Sequence, residues 1–211
     1  MHFFPEKLEQ YATGHTKPAS EVLNSLERET YVRIYMPQMV SGHLQGRFLS
    51  MVSKMLNPGN ILEIGTFTGY SAICLSEGLK DGGTLYTIDI NEELEALAKK
   101  YFEQAGLGKK IKYLTGNAVE IIPQLDVQLD LVYIDADKEN YSKYYDLVFE
   151  KLRSGGLILA DNVLWSGKII DEKQDQETKA LVAFNDKVQR DERVENVLVT
   201  IRDGVMMVRK K

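Results

Sequence analysis

The sequence predicts an α/β fold, a doubly wound and mostly parallel sheet of seven strands whose last strand is antiparallel, preceded by a layer of helices. Three observations predict it. From about residue 60, short apolar runs alternate with helical patterns, and such alternation builds a parallel sheet covered on both faces. Only Arg202-Asp203-Gly204 and a few neighbours separate the last two runs, too little chain for a parallel crossover, so these two form a hairpin. Before residue 60 every pattern is helical.

In chain order, helices are expected over 4–12, 18–35 and 42–56, the second behind Pro18 with Ser20 available as its cap. Strands are expected at 60–64, 83–88, 111–115, 129–134, 156–160, 196–200 and 205–209. A helix follows the first strand over 70–79. The next, over 91–105, shows how these assignments are made: Leu94, Leu97, Ala98, Tyr101, Phe102 and Ala105 recur at helical spacing, Asn91 can cap the start and Gly106 ends it. The 211 residues, 44% of them hydrophobic, suffice for one sizeable core and are few for two. A single domain is expected, with helices over 1–57 and the doubly wound sheet over 58–211.

Lys and Arg total 26 against 31 Asp and Glu, a formal net charge of −5, which argues against general attraction to nucleic acids or membranes but leaves room for a local basic patch. One cysteine, Cys74, cannot close an internal disulfide. The first residues, Met1 to Lys7, lack a basic region followed by a long apolar run, and no apolar stretch approaches the roughly 20 residues that span a bilayer. A cytoplasmic protein with no membrane partner is expected.

The run Leu62-Glu-Ile-Gly-Thr-Phe-Thr-Gly-Tyr-Ser71 places two glycines four apart between a strand and a helix, where the backbone must turn sharply and a ligand can approach it. A dinucleotide fingerprint would read G-x-G-x-x-G. Here the spacing is Gly65-x-x-x-Gly69, and Glu63 would repel a phosphate, so a cationic or amine-bearing ligand suits the site better. Asp89 ends the second strand, where a carboxylate can accept hydrogen bonds from ribose hydroxyls. Gly116-Asn117-Ala118, after the third, could contact an adenine ring. Each piece has a plainer reading: turn glycines, a helix-capping Asp89, a surface Glu63. Their order at three successive strand ends favours a shared ligand.

The fourth strand exits as Tyr133-Ile-Asp135-Ala-Asp137-Lys138 and the fifth as Leu159-Ala-Asp161-Asn162. Two carboxylates and an amide oxygen are hard donors that suit Mg²⁺, Mn²⁺ or Ca²⁺, and an incomplete protein shell leaves room for substrate oxygens. Lys138 could take up a proton in such a site. The competing readings are capping for Asp135 and Asp161, and a solvated surface lysine for Lys138.

The runs LEIGTFTGYS, YTIDIN, YIDADKENY and LILADNVLWSG, together with Met39-Val-Ser-Gly-His-Leu-Gln-Gly46, resemble the cation-dependent O-methyltransferases that include caffeoyl-CoA and catechol O-methyltransferases, especially the small bacterial members. The resemblance covers most of the chain from about residue 40. It implies a Rossmann-like S-adenosylmethionine methyltransferase fold, with Asp135, Asp161 and Asn162 as ligands of a divalent cation and Lys138 as the catalytic base. It also implies Glu63, Gly65, Ser71, Asp89, Ala118 and Asp135 around S-adenosyl-L-methionine, with Met39 and Ser41 nearby, and a homodimer.

The reaction so implied is methylation of a vicinal dihydroxy aromatic, a catechol or hydroxycinnamoyl-type phenol. Within the family the alternative is the 5-hydroxyl of a tRNA wobble uridine, for which Lys17, Arg28, Arg33 and Arg47 would have to share one face. A nicotinamide-dependent oxidoreductase shares the sheet and the acid after the second strand, but the missing third glycine and the Asp161-Asn162 pair disfavour it. A non-catalytic cofactor-binding module is a third class. Trp165 could wall a planar phenol or simply pack its loop. His43 could approach substrate or begin a helix. Substrate choice is expected in the loop from Trp165 to about Gln174; a coenzyme A ester would call for basic residues at the pocket rim, and this loop offers Lys168 and Lys173 among acids, too little to decide the substrate.

Overall fold

A computed structural model describes residues 5–211; residue 4, where the first helix is expected to begin, lies outside them. The N-terminal helices are α1 (Glu6–Gly14), α2 (Glu21–Arg33) and α3 (Gly42–Leu56). Next come β1 (Asn60–Ile64), α4 (Tyr70–Ser76), β2 (Thr84–Asp89), α5 (Glu95–Gln104), β3 (Ile111–Thr115), α6 (Ala118–Gln124), β4 (Leu129–Ile134), α7 (Tyr141–Phe149), β5 (Leu152–Asp161) and α8 (Gln176–Arg190). The hairpin β6 (Val194–Val199) and β7 (Val205–Lys210) completes the chain.

The seven strands lie in the order β3-β2-β1-β4-β5-β7-β6. All neighbours pair in parallel except β7, which runs antiparallel to both β5 and β6. The chain winds outward from β1 to β3, then returns to place β4 on the other side of β1. At that reversal the loops leaving β1 and β4 diverge, opening the crevice where such sheets take ligands.

Alternation along the strands divides the core. Leu62, Ile64, Val132, Ile134, Ile158 and Ala160 point to a face covered by α6, α7 and α8, where Tyr141, Tyr145 and Phe184 are fully buried. Ile61, Leu85, Leu131, Tyr133 and Leu159 point to the other, covered by α2, α3, α4 and α5. Two of the N-terminal helices, α2 and α3, are thus part of one wall of the sheet's own core.

The ends of elements move for local reasons. Ser20 caps α2 as expected, accepting from Leu23 N at 3.3 Å, but the helix stops at Arg33 rather than 35. Met36 is left-handed (φ 54°) ahead of Pro37, and proline disfavours helical backbone in the residue before it. The helix expected over 91–105 opens as a 3-10 turn, Glu92–Leu94, behind Asn91, whose side chain accepts from Glu93 N at 3.0 Å. β5 begins at Leu152, four residues before the expected start, because the strand continues through Gly155 (φ 73°) with a register shift against β4 instead of turning there. Among the described residues no helix is long and apolar enough to cross a membrane.

Candidate active site

A cavity of about 1840 Å³ runs along the carboxyl ends of the parallel strands; Gly65, Asp89, Gly116, Asp135 and Asp161 line it from the exits of β1 to β5. Met39, Ser41, Ser71, Ala118, Lys138 and Asn162 also line it. Glu63 does not: it lies wholly buried beneath the floor.

The β1 exit is built from backbone. Gly65 sits at φ 98°, and a Cβ there would stand 1.9 Å from the carbonyl oxygen of Asp135, so only glycine lets the β1 turn pass against the β4 exit. Gly69, at φ 92°, precedes α4, and a Cβ there would meet the Phe102 ring at 2.6 Å. Between the glycines, Thr66 N and Phe67 N donate to Asp89 Oδ2 at 3.0 and 2.7 Å, while Asn91 N donates to Asp89 Oδ1 at 2.9 Å. Asp89 therefore organises two loops at once. A carboxylate has about four acceptor positions, and backbone amides take three, leaving one toward the cavity.

Below this turn, Glu63 Oε2 accepts from Thr87 Oγ1 at 2.5 Å, and Oε1 has no hydrogen-bond partner among the described residues. Burial pushes the Glu63 carboxyl up to about 8; the Ser71 and Thr87 hydroxyls oppose the rise, while the charges of Asp135 and Asp89 add to it. A buried acid without a cation is costly, and a positive ligand over the turn would relieve it.

The β4 and β5 exits carry side-chain chemistry. Lys138 is only 6% exposed, which removes the surface-lysine reading. Its Nζ donates to Asp135 Oδ1 (3.2 Å), Asn162 Oδ1 (2.9 Å) and Tyr141 Oη (2.7 Å), and Tyr141 Oη donates to the Asp161 carbonyl at 3.0 Å. The oxygens of Asp135 and Asn162 thus converge on one point, and a cation, the ammonium, stands there. Asn162 reaches it from a left-handed backbone, φ 58°, a conformation asparagine tolerates better than most residues. Burial and the neighbouring Asp135 charge push the Asp161 carboxyl up, against the pull of Lys138, Tyr133 and Gln45.

Among the described residues no group of three or more His, Cys, Asp or Glu is placed to hold a metal. The donor set here is two carboxylates and one amide oxygen. Two acids held close enough to repel, beside an amide oxygen already bound to an ammonium, fit a hard cation of higher charge.

Three residues that hold this group escaped sequence reasoning. Tyr133 Oη donates to Asp161 Oδ2 at 2.8 Å. Gln45, from α3, donates to the same oxygen and, at 3.0 Å, to Tyr133 Oη. Arg202, at the tip of the β6–β7 hairpin, donates to Gln45 Oε1 at 3.2 Å and to the carbonyls of Val40 and Ser41. One signal existed: Gln45 shares a buried helix face with Leu49 and Val52, and a polar residue on such a face requires a partner.

Trp165 lines the cavity, with Lys138 Nζ 5.6 Å and Lys168 Nζ 5.7 Å from its ring centre. His43 turns away, its Nε2 2.7 Å from the Lys17 carbonyl oxygen. Lys168 pairs with Asp175 at 3.5 Å. Of the residues needed for a basic patch, Arg47 is held against Glu77 at 2.7 Å with a largely covered side chain, and Arg33 pairs with Glu29 at 3.0 Å. Cys74 is a core residue, buried beside Arg47.

Comparison with known proteins supplies the family. A family model described as O-methyltransferase matches residues 13–211. A caffeoyl-CoA O-methyltransferase of Eucalyptus globulus is 33% identical over 79% of this chain and 72% of its own length. A catechol O-methyltransferase of Niastella koreensis is 38% identical over 65% of this chain and 64% of its own. In three dimensions the chain resembles an O-methyltransferase from Bacillus cereus in complex with SAH (TM-score 0.90, 28% identity, 97% of both chains). It also resembles an SAH-bound methyltransferase of Podospora anserina (TM-score 0.90, 26% identity, 100% of this chain and 98% of the other). A doubly wound sheet with β7 inserted antiparallel, a glycine turn over a buried acid, and a match across nearly the whole length place this chain in the O-methyltransferase family.

Proposed function

We propose that the protein transfers the methyl group of S-adenosylmethionine to one hydroxyl of a vicinal dihydroxy aromatic, with a divalent cation held by Asp135, Asp161 and Asn162. The observation that carries this reading is the convergence of Asp135 and Asn162 on the Lys138 ammonium, beside Asp161, in the cavity that also holds the glycine turn. The Bacillus and Podospora neighbours are SAH-bound, which supports the cofactor.

On this reading the β1 to β3 exits bind the cofactor. The turn at Gly65 lets it approach the backbone, Asp89 offers its remaining acceptor position to the ribose, and a cationic group above buried Glu63 would favour the ionised carboxylate against the burial that pushes it up to about 8. A divalent cation, when bound, supplies Lewis acidity that lowers the pKa of a hydroxyl coordinated to it. Lys138 Nζ, in its neutral amine form and no longer the ammonium that bridges Asp135 and Asn162, would receive the proton that hydroxyl gives up. The oxygen forms its bond to the methyl carbon as the sulfur–carbon bond breaks, and the bonding pair leaves with the sulfur. Trp165 offers a flat face to the ring.

Turnover of labelled S-adenosylmethionine with a catechol and with hypomodified tRNA, each with Mg²⁺ or with chelator, tests the proposal. Cation-dependent methylation of the catechol is expected. Methylation of the RNA alone would sink the phenol reading, and activity indifferent to chelator would sink the cation.

A further inference from the structure

We propose that Gln45 and Arg202 are positioning residues that orient the Asp161 carboxylate toward the bound cation, so that the N-terminal helices and the C-terminal hairpin jointly determine the strength of that site. This rests on the cation reading above.

Asp161 differs from the other two donors in how it is held. Asp135 and Asn162 reach the cavity with Lys138 as their shared partner, whereas Asp161 is 2% exposed and is gripped from behind. Its Oδ2 accepts from both Tyr133 Oη and Gln45 Nε2, and among the described residues its Oδ1 accepts only the Asn162 N–H at 2.8 Å. With Oδ2 saturated, Oδ1 is the oxygen with capacity to spare.

The orientation of the Gln45 amide decides whether that grip exists, and Arg202 decides the orientation. A guanidinium only donates and a carboxylate only accepts. With Oε1 toward Arg202 Nη1 and Nε2 toward Asp161, both ends of the amide are satisfied. A flipped amide would set NH₂ against guanidinium and oxygen against carboxylate, two repulsive contacts in a buried place, since Gln45 is 1% exposed. Tyr133 fits the same polarity: it accepts from Gln45 and passes its own proton toward Asp161. The chain Arg202, Gln45, Asp161 therefore has a single proton arrangement. Arg202 is anchored independently by the Val40 and Ser41 carbonyls, which ties the segment entering α3 to the same relay.

Residues that orient a metal ligand typically contribute 10–100-fold to metal affinity. The test measures Mn²⁺ affinity of the intact chain by titration calorimetry and electron paramagnetic resonance, with S-adenosylhomocysteine affinity and melting temperature measured on the same samples. Gln45→Met, close in volume and without polar atoms, is expected to weaken Mn²⁺ at least tenfold while S-adenosylhomocysteine affinity stays within about threefold, which also shows that the variant is folded. Arg202→Met is expected to weaken Mn²⁺ several-fold, and Arg202→Lys to recover part of the loss because one donor returns. Wild-type Mn²⁺ affinity in folded Gln45→Met overturns the relay alone. A wild-type chain that binds no Mn²⁺ overturns the cation reading and the relay with it. Equal loss of both ligands in Gln45→Met, with a lowered melting temperature, assigns Gln45 to general stability and also overturns the relay.

Discussion

The two halves of the cavity are made of different material. Under β1, β2 and β3 the site is backbone: a glycine turn, amide groups fixed on Asp89, and one buried acid without a cation. At β4 and β5 it is side chains: two acids, an amide, a buried lysine and the tyrosines that hold them. A backbone site tolerates no change of shape, and its one organising charge, Asp89, is already held by backbone amides. A side-chain site tolerates changes of shape better but depends on every charge being balanced. The halves should therefore fail differently.

The largest effect is expected where they touch. Gly65→Ala drives a Cβ into the Asp135 carbonyl from a backbone angle that L-residues avoid, with an expected cost of roughly 3–5 kcal/mol, in the range of severe steric substitutions. Denaturant unfolding should show it, and both S-adenosylhomocysteine and Mn²⁺ binding should fall. Retained binding of either would show that the halves are not joined at this point.

Lys138→Met separates chemistry from binding. Loss of a positioned base typically costs 10²–10⁴ in rate, and kcat should fall in that range with S-adenosylhomocysteine affinity within about threefold. Wild-type kcat would remove Lys138 from the reaction.

Asp161→Ala should abolish Mn²⁺ binding but leave the β1 to β3 half working, again within about threefold for S-adenosylhomocysteine. It also strands the Tyr133 and Gln45 donors, at about 1–3 kcal/mol of stability, readable as a lower melting temperature in cation-free buffer.

The last effect is one of pH. Glu63 has its pKa raised by burial to about 8 from an ordinary 4.5. Between those values the unfolded chain releases a proton that the folded chain keeps, so stability falls as pH rises through this window and levels off above it. Glu63→Gln should flatten that part of the profile in ligand-free protein, matching wild type near pH 4 and exceeding it near pH 8. Glu77 provides the internal contrast: although burial alone would raise it, Arg47, Lys54 and Ser50 pull it down to about 2. Its contribution is present above the ordinary value and lost as pH falls toward 2, with or without Glu63.

The same division explains what could be read in the sequence. The strands and the antiparallel hairpin follow from periodicity and loop length, which are local, whereas the order of the strands in the sheet is seen only in the structure. Gly65, Asp89, Asp135 and Asp161 could be singled out because a doubly wound sheet brings strand exits to one edge, so position in sequence becomes position in space. Gln45 and Arg202 obey no such rule. They meet across 157 residues, through side chains whose spacing follows no period, and Tyr133 reads as one more apolar strand residue until its hydroxyl is seen to face Asp161. Glu63 carried a warning of a different kind, an acid inside an apolar strand, but whether it faced ligand or lay beneath one depended on packing.

The hairpin turn at Arg202-Asp203-Gly204 reaches the loop after β5 as well as α3: Asp203 accepts from Ser166 N at 2.6 Å, and the Asp203 and Gly204 carbonyls accept from Leu164 and Val163. These contacts join early-made segments to late-made ones. During synthesis the glycine turn and its strands can collapse while the chain is still growing, but the Asp161 loop cannot be clamped until β7 has slid between β5 and β6. Long-range closures of this kind are slow, so the cofactor half should acquire protection from hydrogen exchange first and the acidic half last, the nascent protein passing through a stage with a cradle for its methyl donor and no finished place to use it.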